Sequence, residues 1–204
     1  MREALDACPP GDGRQRGLLV VLNGDLSTAV TMLSAASGLG WSSYHHPAHV
    51  LVAVFLALLL GDRRTRLSRQ ILADLEREPV EVFDDDSEEA SAAGVAPAPA
   101  LATPSVAQLL AVSRCGTQVD GPLAVAMADA VQTIVTRRVD GVLREKRRRH
   151  YAGAAALAAV CLEVGAVTAR RDEVSRWVTG LRRQYARFPA FQAELKAALA
   201  ASGG

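Results

Sequence analysis

The sequence is poor in aromatic residues, in cysteine and in lysine. Only 4% of its 204 residues are aromatic, three are cysteine, and lysine occurs twice against 21 arginines. Cys8, Cys115 and Cys161 are odd in number and far apart, which excludes a disulfide framework and indicates a reducing, cytoplasmic environment. No basic leader with an apolar run opens the chain, and the most apolar stretch, 48–60, is shorter than the ~20 residues of a membrane span. We therefore expect no secretory signal and no membrane contact.

The sequence also lacks the short motifs that carry common reactions. It contains no GxSxG, no GxxxxGK[ST] and no GxGxxG preceded by a strand pattern. Cys161 lies in an Ala-rich apolar segment typical of an inert buried thiol, and Cys115 has no neighbour in sequence that would activate it. We predict neither a catalytic residue nor a cofactor.

The residues that are abundant favour helices. Half of the chain is hydrophobic, and 37 residues are alanine, the strongest helix former. Apolar residues recur at helical spacing, so we predict an all-α protein of seven to nine helices arranged as stacked antiparallel hairpins, in a repeat-like manner. In the first half Gly24 and Asp25 predict a helix end followed by a helix cap, Gly38 and Gly40 end the second helix, and Pro47 opens the third.

Residues 78–104 differ in kind from the rest. They combine an acidic cluster with an Ala/Pro/Ser tract, which is typical of a flexible connector. We therefore divide the chain into N-terminal helical hairpins (1–77), the connector (78–104) and a C-terminal helical bundle (105–204). In the bundle, Thr103 is predicted to cap a short helix from Pro104, a long helix runs from residue 123 towards 149, and Gly165 closes the following helix, whether this is a continuation or a second helix after a bend.

The C-terminal half is basic. Between residues 137 and 187 there are thirteen lysines and arginines against five acids, although the whole chain has a net charge of +1. The densest part is a run of five cations: Arg144, Lys146, Arg147, Arg148 and Arg149. At a helix end these side chains could bind phosphates, or they could contact the acidic connector, because a helix C-terminus favours cations without any ligand. Tyr151 is the one nearby aromatic residue that could stack on a base.

Two aromatic residues lie in a Gly/Ser-rich loop before Pro47. Trp41 and Tyr44 either fold back over a helix end or are offered to a binding partner. The other aromatic residues have the spacing of a helical core stripe, and we expect them to be buried. These are Trp177, Tyr185, Phe188 and Phe191.

Three histidines form the only cluster with metal-ligand spacing. His45 and His49 are four residues apart, and His46 lies between them. Because Pro47 places His45 outside the helix, no third ligand is nearby in sequence and no Glu occupies the position of a general base, we expect His46 to cap the helix and His49 either to pack or to face solvent. A metal-dependent enzyme at these histidines remains an alternative.

The last third of the chain resembles the helical tails of bacterial SWIM-type zinc-finger and related uncharacterised proteins. The resemblance rests on the segment 137–142, the basic cluster before Tyr151, the Ala-rich helix through 161–163, and the closing segment 185–195. The CxC and CxH pairs that hold zinc in that family are absent, so no ligand residue is carried over. The resemblance implies only a helical scaffold of bacterial type.

Together these patterns predict a cytoplasmic protein-interaction or adaptor module without catalytic activity. The candidate partner-binding residues are Trp41, Tyr44 and the five cations of 144–149. The alternative is a nucleic-acid-binding or regulatory subunit that uses the same cations.

Overall fold

The computed structural model describes residues 12–41, 45–76, 105–113, 115 and 119–202. Within these ranges the chain forms nine α-helices, two short 3-10 turns and no β-strand, which confirms the all-α class. The repeat-like stacking of hairpins stays a prediction. The helices are α1 (Gly13–Leu22), α2 (Leu26–Ala35), α3 (Ala48–Leu60), α4 (Arg66–Glu76), α5 (Val106–Val112), α6 (Gly121–Arg144), α7 (Tyr151–Val167), α8 (Arg171–Gln184) and α9 (Pro189–Ala201).

The turn between α1 and α2 is built as its sequence predicts. Gly24 has a φ of 77°, a left-handed conformation that glycine adopts without steric cost, and its N–H donates to the carbonyl of Val21. The Asp25 carboxylate accepts from the Thr28 N–H at 3.0 Å and caps α2. The two helices therefore form an antiparallel hairpin.

The start of α5 differs from its prediction by two residues. The predicted cap, Thr103, and Pro104 lie outside the described residues, as does the whole predicted connector. Ser105 caps the helix, because its hydroxyl accepts from the Gln108 N–H while the Gln108 side chain accepts from the Ser105 N–H. This reciprocal pair stabilises a helix of only seven residues.

One hydrophobic core joins the helices on both sides of residues 77–104. The core runs from Val20 in α1 to Ala198 in α9. Helix α6 packs along α2 and α3, and α7 packs against α3 and α4 as well as α8 and α9. The first and second halves of the chain therefore share their buried surface.

Helix α7 lies at the centre of this core. Ala154, Ala155, Ala158 and Ala159 are at most 1% exposed, and small side chains of this kind let neighbouring helices approach closely. By length and composition the segment 148–167 would also suffice to cross a membrane, but 61% of its apolar window is buried against the other helices. It is built as a core helix.

The end of α7 corrects the prediction that Gly165 closes this helix. The helix continues to Val167, and Ala169 takes the left-handed conformation with a φ of 57°. The N–H of Arg170 then returns to the Gly165 carbonyl at 2.7 Å. Gly165 is needed for a different reason: a Cβ atom there would lie 2.8 Å from the side chain of Val174 in α8.

Two of the four aromatic residues of the C-terminal stripe are buried as predicted, whereas Trp177 and Phe188 are only partly buried and pack against the core. Tyr185 is 6% exposed and Phe191 is fully buried, with their rings in an edge-to-face contact. Trp177 is partly buried and its indole N–H donates to the Thr136 hydroxyl at 3.1 Å. Together with Phe188, these residues attach α8 and α9 to the rest of the molecule.

Candidate functional site

The five predicted cations lie at a corner between α6 and α7, not along one long helix. Helix α6 ends at Arg144, and Lys146 has a φ of 51°. The N–H of Lys146 donates to the Leu143 carbonyl and that of Arg147 to the Val142 carbonyl, which is the hydrogen-bond pattern of a helix stop. The predicted continuation of this helix towards residue 149 is therefore wrong, and the alternative of a bend followed by a second helix is confirmed.

We call this set of side chains the cationic corner: Arg144, Lys146, Arg147, Arg148 and Arg149. All five are exposed. Only Arg144 has an acid partner among the described residues, since its Nε atom contacts Asp140 at 2.9 Å. By contrast, Arg170, elsewhere on the surface, pairs with both Asp129 and Glu173. The corner is thus a surface of positive charge that the described part of the chain does not neutralise.

Trp41 is folded back into the protein, which is one of the two outcomes open for it. The residue is 4% exposed and stacks on His46, with ring centroids 6.0 Å apart. On another side of the indole lies the guanidinium of Arg138, 5.4 Å from the ring centroid. A buried ring of this kind does not serve as an exposed anchor for a partner. Tyr44, the second aromatic residue of that prediction, lies outside the described residues.

The three histidines have separate structural surroundings. His46 is buried, and its Nδ1 accepts from the Ala48 N–H at 3.2 Å, so it contacts the start of α3, although the N-cap residue of that helix is Pro47. Its Nε2 therefore carries the proton and lies 3.1 Å from the Ser37 carbonyl, which accepts. His45 is exposed and contacts the Asp12 carboxylate at 3.3 Å.

His49 is partly buried and both of its ring nitrogens are enclosed, which is the packed one of the two outcomes open for it. Burial, and after it the positive charge of Arg14, lowers its pKa from 6.5 to about 4, against a small opposing effect of the Leu75 carbonyl. The imidazole is therefore neutral at pH 7. Within the described ranges no three histidine, cysteine or acidic side chains are grouped so as to hold a metal ion.

A cavity of about 300 Å³ lies beside the cationic corner and opens to solvent. Its lining comes from the Trp41 loop, from α3, α4, α6 and α7, and from the 3-10 turn before α7. The apolar part of its wall comprises Ile71, Leu75, Ala154 and Leu157. The charged and polar part comprises Trp41, His49, Asp74, Arg138, Arg149 and His150. Arg149 belongs both to the cationic corner and to this wall.

Arg138 is the most unusual group in the wall. The residue is partly buried, and burial followed by the charge of Arg147 lowers the pKa of its guanidinium to about 10. Its one printed contact is with the Trp41 ring, and it has no hydrogen bond or ion pair with the residues that the structure describes. The pKa of the neighbouring His150 is lowered by burial and then by Arg138, Arg149 and Arg147. The cavity is therefore a positively charged and partly desolvated space.

Arg138 is not among the residues predicted for the site, although the sequence carries a signal for it. Ile134, Arg138 and Val142 are spaced by four residues, so they lie on one face of α6, and both apolar neighbours are fully buried. A cation in the middle of a buried stripe indicates either an internal ion pair or a binding site. The described residues contain no acid that pairs with Arg138.

The fold and the site define an all-α protein with a cationic corner and an adjoining cationic cavity. Comparison with protein-family models, with curated proteins and with solved structures finds no significant match. The likeness of the C-terminal third to SWIM-type tails thus rests on the quoted residues alone, and the function must be argued from the geometry.

Proposed function

We propose that the protein is a non-catalytic interaction module, of the adaptor type, that binds an acidic protein partner at the cationic corner. The observation that carries this proposal is the exposure of Lys146, Arg147 and Arg148 without an acid partner in the described part of the chain. Exposed positive charge of this density steers acidic partners and fixes their orientation. The left-handed Lys146 spreads these cations over a corner, and a corner contacts a broader partner surface than a single helix end.

The main alternative, a nucleic-acid-binding or regulatory subunit, has weaker support. The nearby aromatic residue that could stack on a base, Tyr151, is 4% exposed and packs edge-on against Phe191. Among the described residues the exposed large hydrophobic side chains are Val112 and Val125, neither of which offers a ring. Contacts from the corner to nucleic acid would therefore be limited to phosphates, which favours a protein partner.

The third alternative, a metal-dependent enzyme at His45, His46 and His49, requires ligands that converge. Both ring nitrogens of His46 are used within the protein, and His45 faces solvent. If the alternative were correct, a His49→Ala protein would lose bound metal on elemental analysis. Our proposal predicts the same metal content for both proteins.

We further propose a cytoplasmic location. The support is that Cys115 and Cys161 are free thiols, as expected of a protein in a reducing compartment.

The test is a binding titration by fluorescence anisotropy with two labelled probes. One is an acidic peptide with the sequence of residues 81–92, and the other is a short DNA duplex. The titration is carried out at a low and a high ionic strength. We expect the peptide to bind more tightly than the duplex, and the affinities of both probes to fall as the salt concentration rises. Tighter binding of the duplex at both ionic strengths would favour the nucleic-acid alternative and contradict our proposal.

A matched pair of variants distinguishes binding at the cationic corner from attraction by the net charge of the protein. Lys146→Glu, Arg147→Glu and Arg148→Glu together reverse three charges at the corner, whereas Arg176→Glu, Arg182→Glu and Arg183→Glu reverse three exposed charges on α8. We expect the corner variant to lose peptide binding and the α8 variant to retain most of it. Equal losses would show that net charge, not the corner, binds the peptide.

A further inference from the structure

We propose that the cavity between α3, α4, α6 and α7 is a binding site for a small organic acid, with the carboxylate at Arg138 and Arg149 and an apolar body against Ile71, Leu75 and Leu157. This inference goes beyond the proposed function, because it concerns a small molecule inside the cavity and not a partner on the exposed corner. It stands whether or not the corner binds a protein.

Arg138 has N–H donors that are available to a ligand. Trp41 covers the guanidinium at 5.4 Å through the ring face, an arrangement that leaves the N–H groups of its edges available. None of these donors has an acceptor among the described residues. A guanidinium presents its N–H groups as a planar fork that matches the two oxygens of a carboxylate. The site therefore offers the donor geometry that a carboxylate needs.

The wall of the cavity carries an excess of positive charge. Arg138 and Arg149 approach the cavity from α6 and from the turn before α7, and Arg147 adds positive potential nearby. Asp74 is the single acid among the lining residues, while His49 is neutral. An anion in the cavity would gain from this excess of positive charge and would relieve the unpaired guanidinium.

The volume and the apolar wall of the cavity fit a small organic molecule. A volume of about 300 Å³ is at the lower end of the range of small-molecule sites. It would hold roughly ten water-sized groups at ~30 Å³ each. The side chains of Ile71, Leu75, Ala154 and Leu157 make an apolar surface that a hydrated inorganic ion does not need. Gly153 leaves the wall open, since a Cβ atom there would meet nothing within 4 Å.

The test uses the full chain with Trp177→Phe, so that Trp41 becomes the only tryptophan. Benzoate is the probe, benzamide is its neutral isostere, and inorganic phosphate is the anion without an apolar body. We expect a saturable change in Trp41 fluorescence with benzoate, and binding of benzamide and of phosphate at least about tenfold weaker, because a hydrogen bond to a charged group is lost in one case and apolar burial in the other.

A second measurement reports directly on charge. NMR titration of His150 in the presence of benzoate should show a higher pKa than in its absence, because a bound anion offsets the cations that now lower it. Benzamide should leave the titration unchanged. A fluorescence change without any movement of the His150 titration would place the probe elsewhere and overturn the proposal.

Two variants locate the site. Arg138→Met should weaken benzoate binding by about tenfold or more, because it removes the guanidinium and leaves an unbranched apolar side chain. Gly153→Leu should block the cavity, and Gly180→Leu is its matched control, because Gly180 is also exposed inside a helix with open space around it. Equal effects of the two leucines, equal binding of benzamide or phosphate, or no saturable response to benzoate would each refute the proposal. The triple α8 variant should retain the response, because none of its three substituted arginines lines the cavity.

Discussion

The substitution Arg138→Met should make the folded protein more stable. Removing an arginine from a well-packed helix face normally costs stability, because packing and hydrogen bonds are lost. Arg138 differs because it is partly buried and has no acid partner among the described residues. Methionine keeps an unbranched apolar stem against Trp41 and removes only the charged group.

The magnitude follows from the charge and from the ring contact. Burial and the charge of Arg147 lower the pKa of Arg138 from 12.5 to about 10, which corresponds to a destabilisation of the charged form by about 3 kcal/mol. The guanidinium stays protonated at ordinary pH, so this cost is always present. Losing the cation–π contact with Trp41 removes about 1–2 kcal/mol of stabilisation. The free energy of unfolding should therefore rise by about 1–2 kcal/mol.

The neighbouring arginine provides the control. Arg137 donates from Nη1 to the carbonyls of Ser34 and Ala36, so Arg137→Met should lower the free energy of unfolding by about 1–2 kcal/mol. Urea unfolding followed by circular dichroism measures both variants under the same conditions. If Arg138→Met destabilises the protein as much as Arg137→Met does, the guanidinium of Arg138 has a net stabilising effect and the expected gain in stability is refuted.

Three further predictions concern pH and the backbone. The pKa of His49 is about 4 in the folded protein, against an ordinary histidine pKa of 6.5, so the unfolded chain takes up this proton first and the folded state loses stability as the pH falls from 6.5 to 4. In the His49→Leu protein, the loss of unfolding free energy between pH 7 and 4.5 should be smaller by about 2.5 kcal/mol. An unchanged pH dependence of stability would contradict this. Ala169→Gly should raise the free energy of unfolding by about 1 kcal/mol, because alanine at a φ of 57° is strained, and a lower melting temperature would argue against it. Gly38→Ala should lower the free energy of unfolding by about 3 kcal/mol, because its Cβ would lie 2.1 Å from the Arg137 carbonyl oxygen. Gly180→Ala should raise it by about 1 kcal/mol, because the added Cβ meets open space in a helix. Thermal unfolding should give a lower melting temperature for Gly38→Ala than for Gly180→Ala, and the reverse order would contradict both predictions.

Helix identity could be predicted from the sequence more reliably than helix ends. The end of α1 was predictable because Gly24 is the residue type that favours a left-handed φ. The end of α6 uses the same two hydrogen bonds and the end of α7 uses one of them, but Lys146 and Ala169 occupy the left-handed position. Neither residue type signals a helix stop. The burial of Val142 and Leu143 on one side of the corner, and of Tyr151 on the other, outweighs the local strain.

The candidate site was predictable only in its exposed part. A run of cations is visible in the sequence, and the corner contains it. The cavity combines residues from α3, α4, α6 and α7, which are up to about a hundred positions apart, and only the packing of these helices brings them together. Trp41 was recognised as a residue of interest, but its burial depends on His46 and Arg138, one of which lies on a distant helix.

The shared core has a consequence for a chain cut within residues 77–104. Since α6 packs on α2 and α3, and α7 packs on α3 and α4, each piece would expose a large apolar surface that the other covers. We expect the pieces 1–77 and 105–204 to elute together after cleavage and to be insoluble when produced singly. The two pieces would then behave as the halves of a split protein. If each piece is fused to a different protein, the reassembly of the two pieces can be detected.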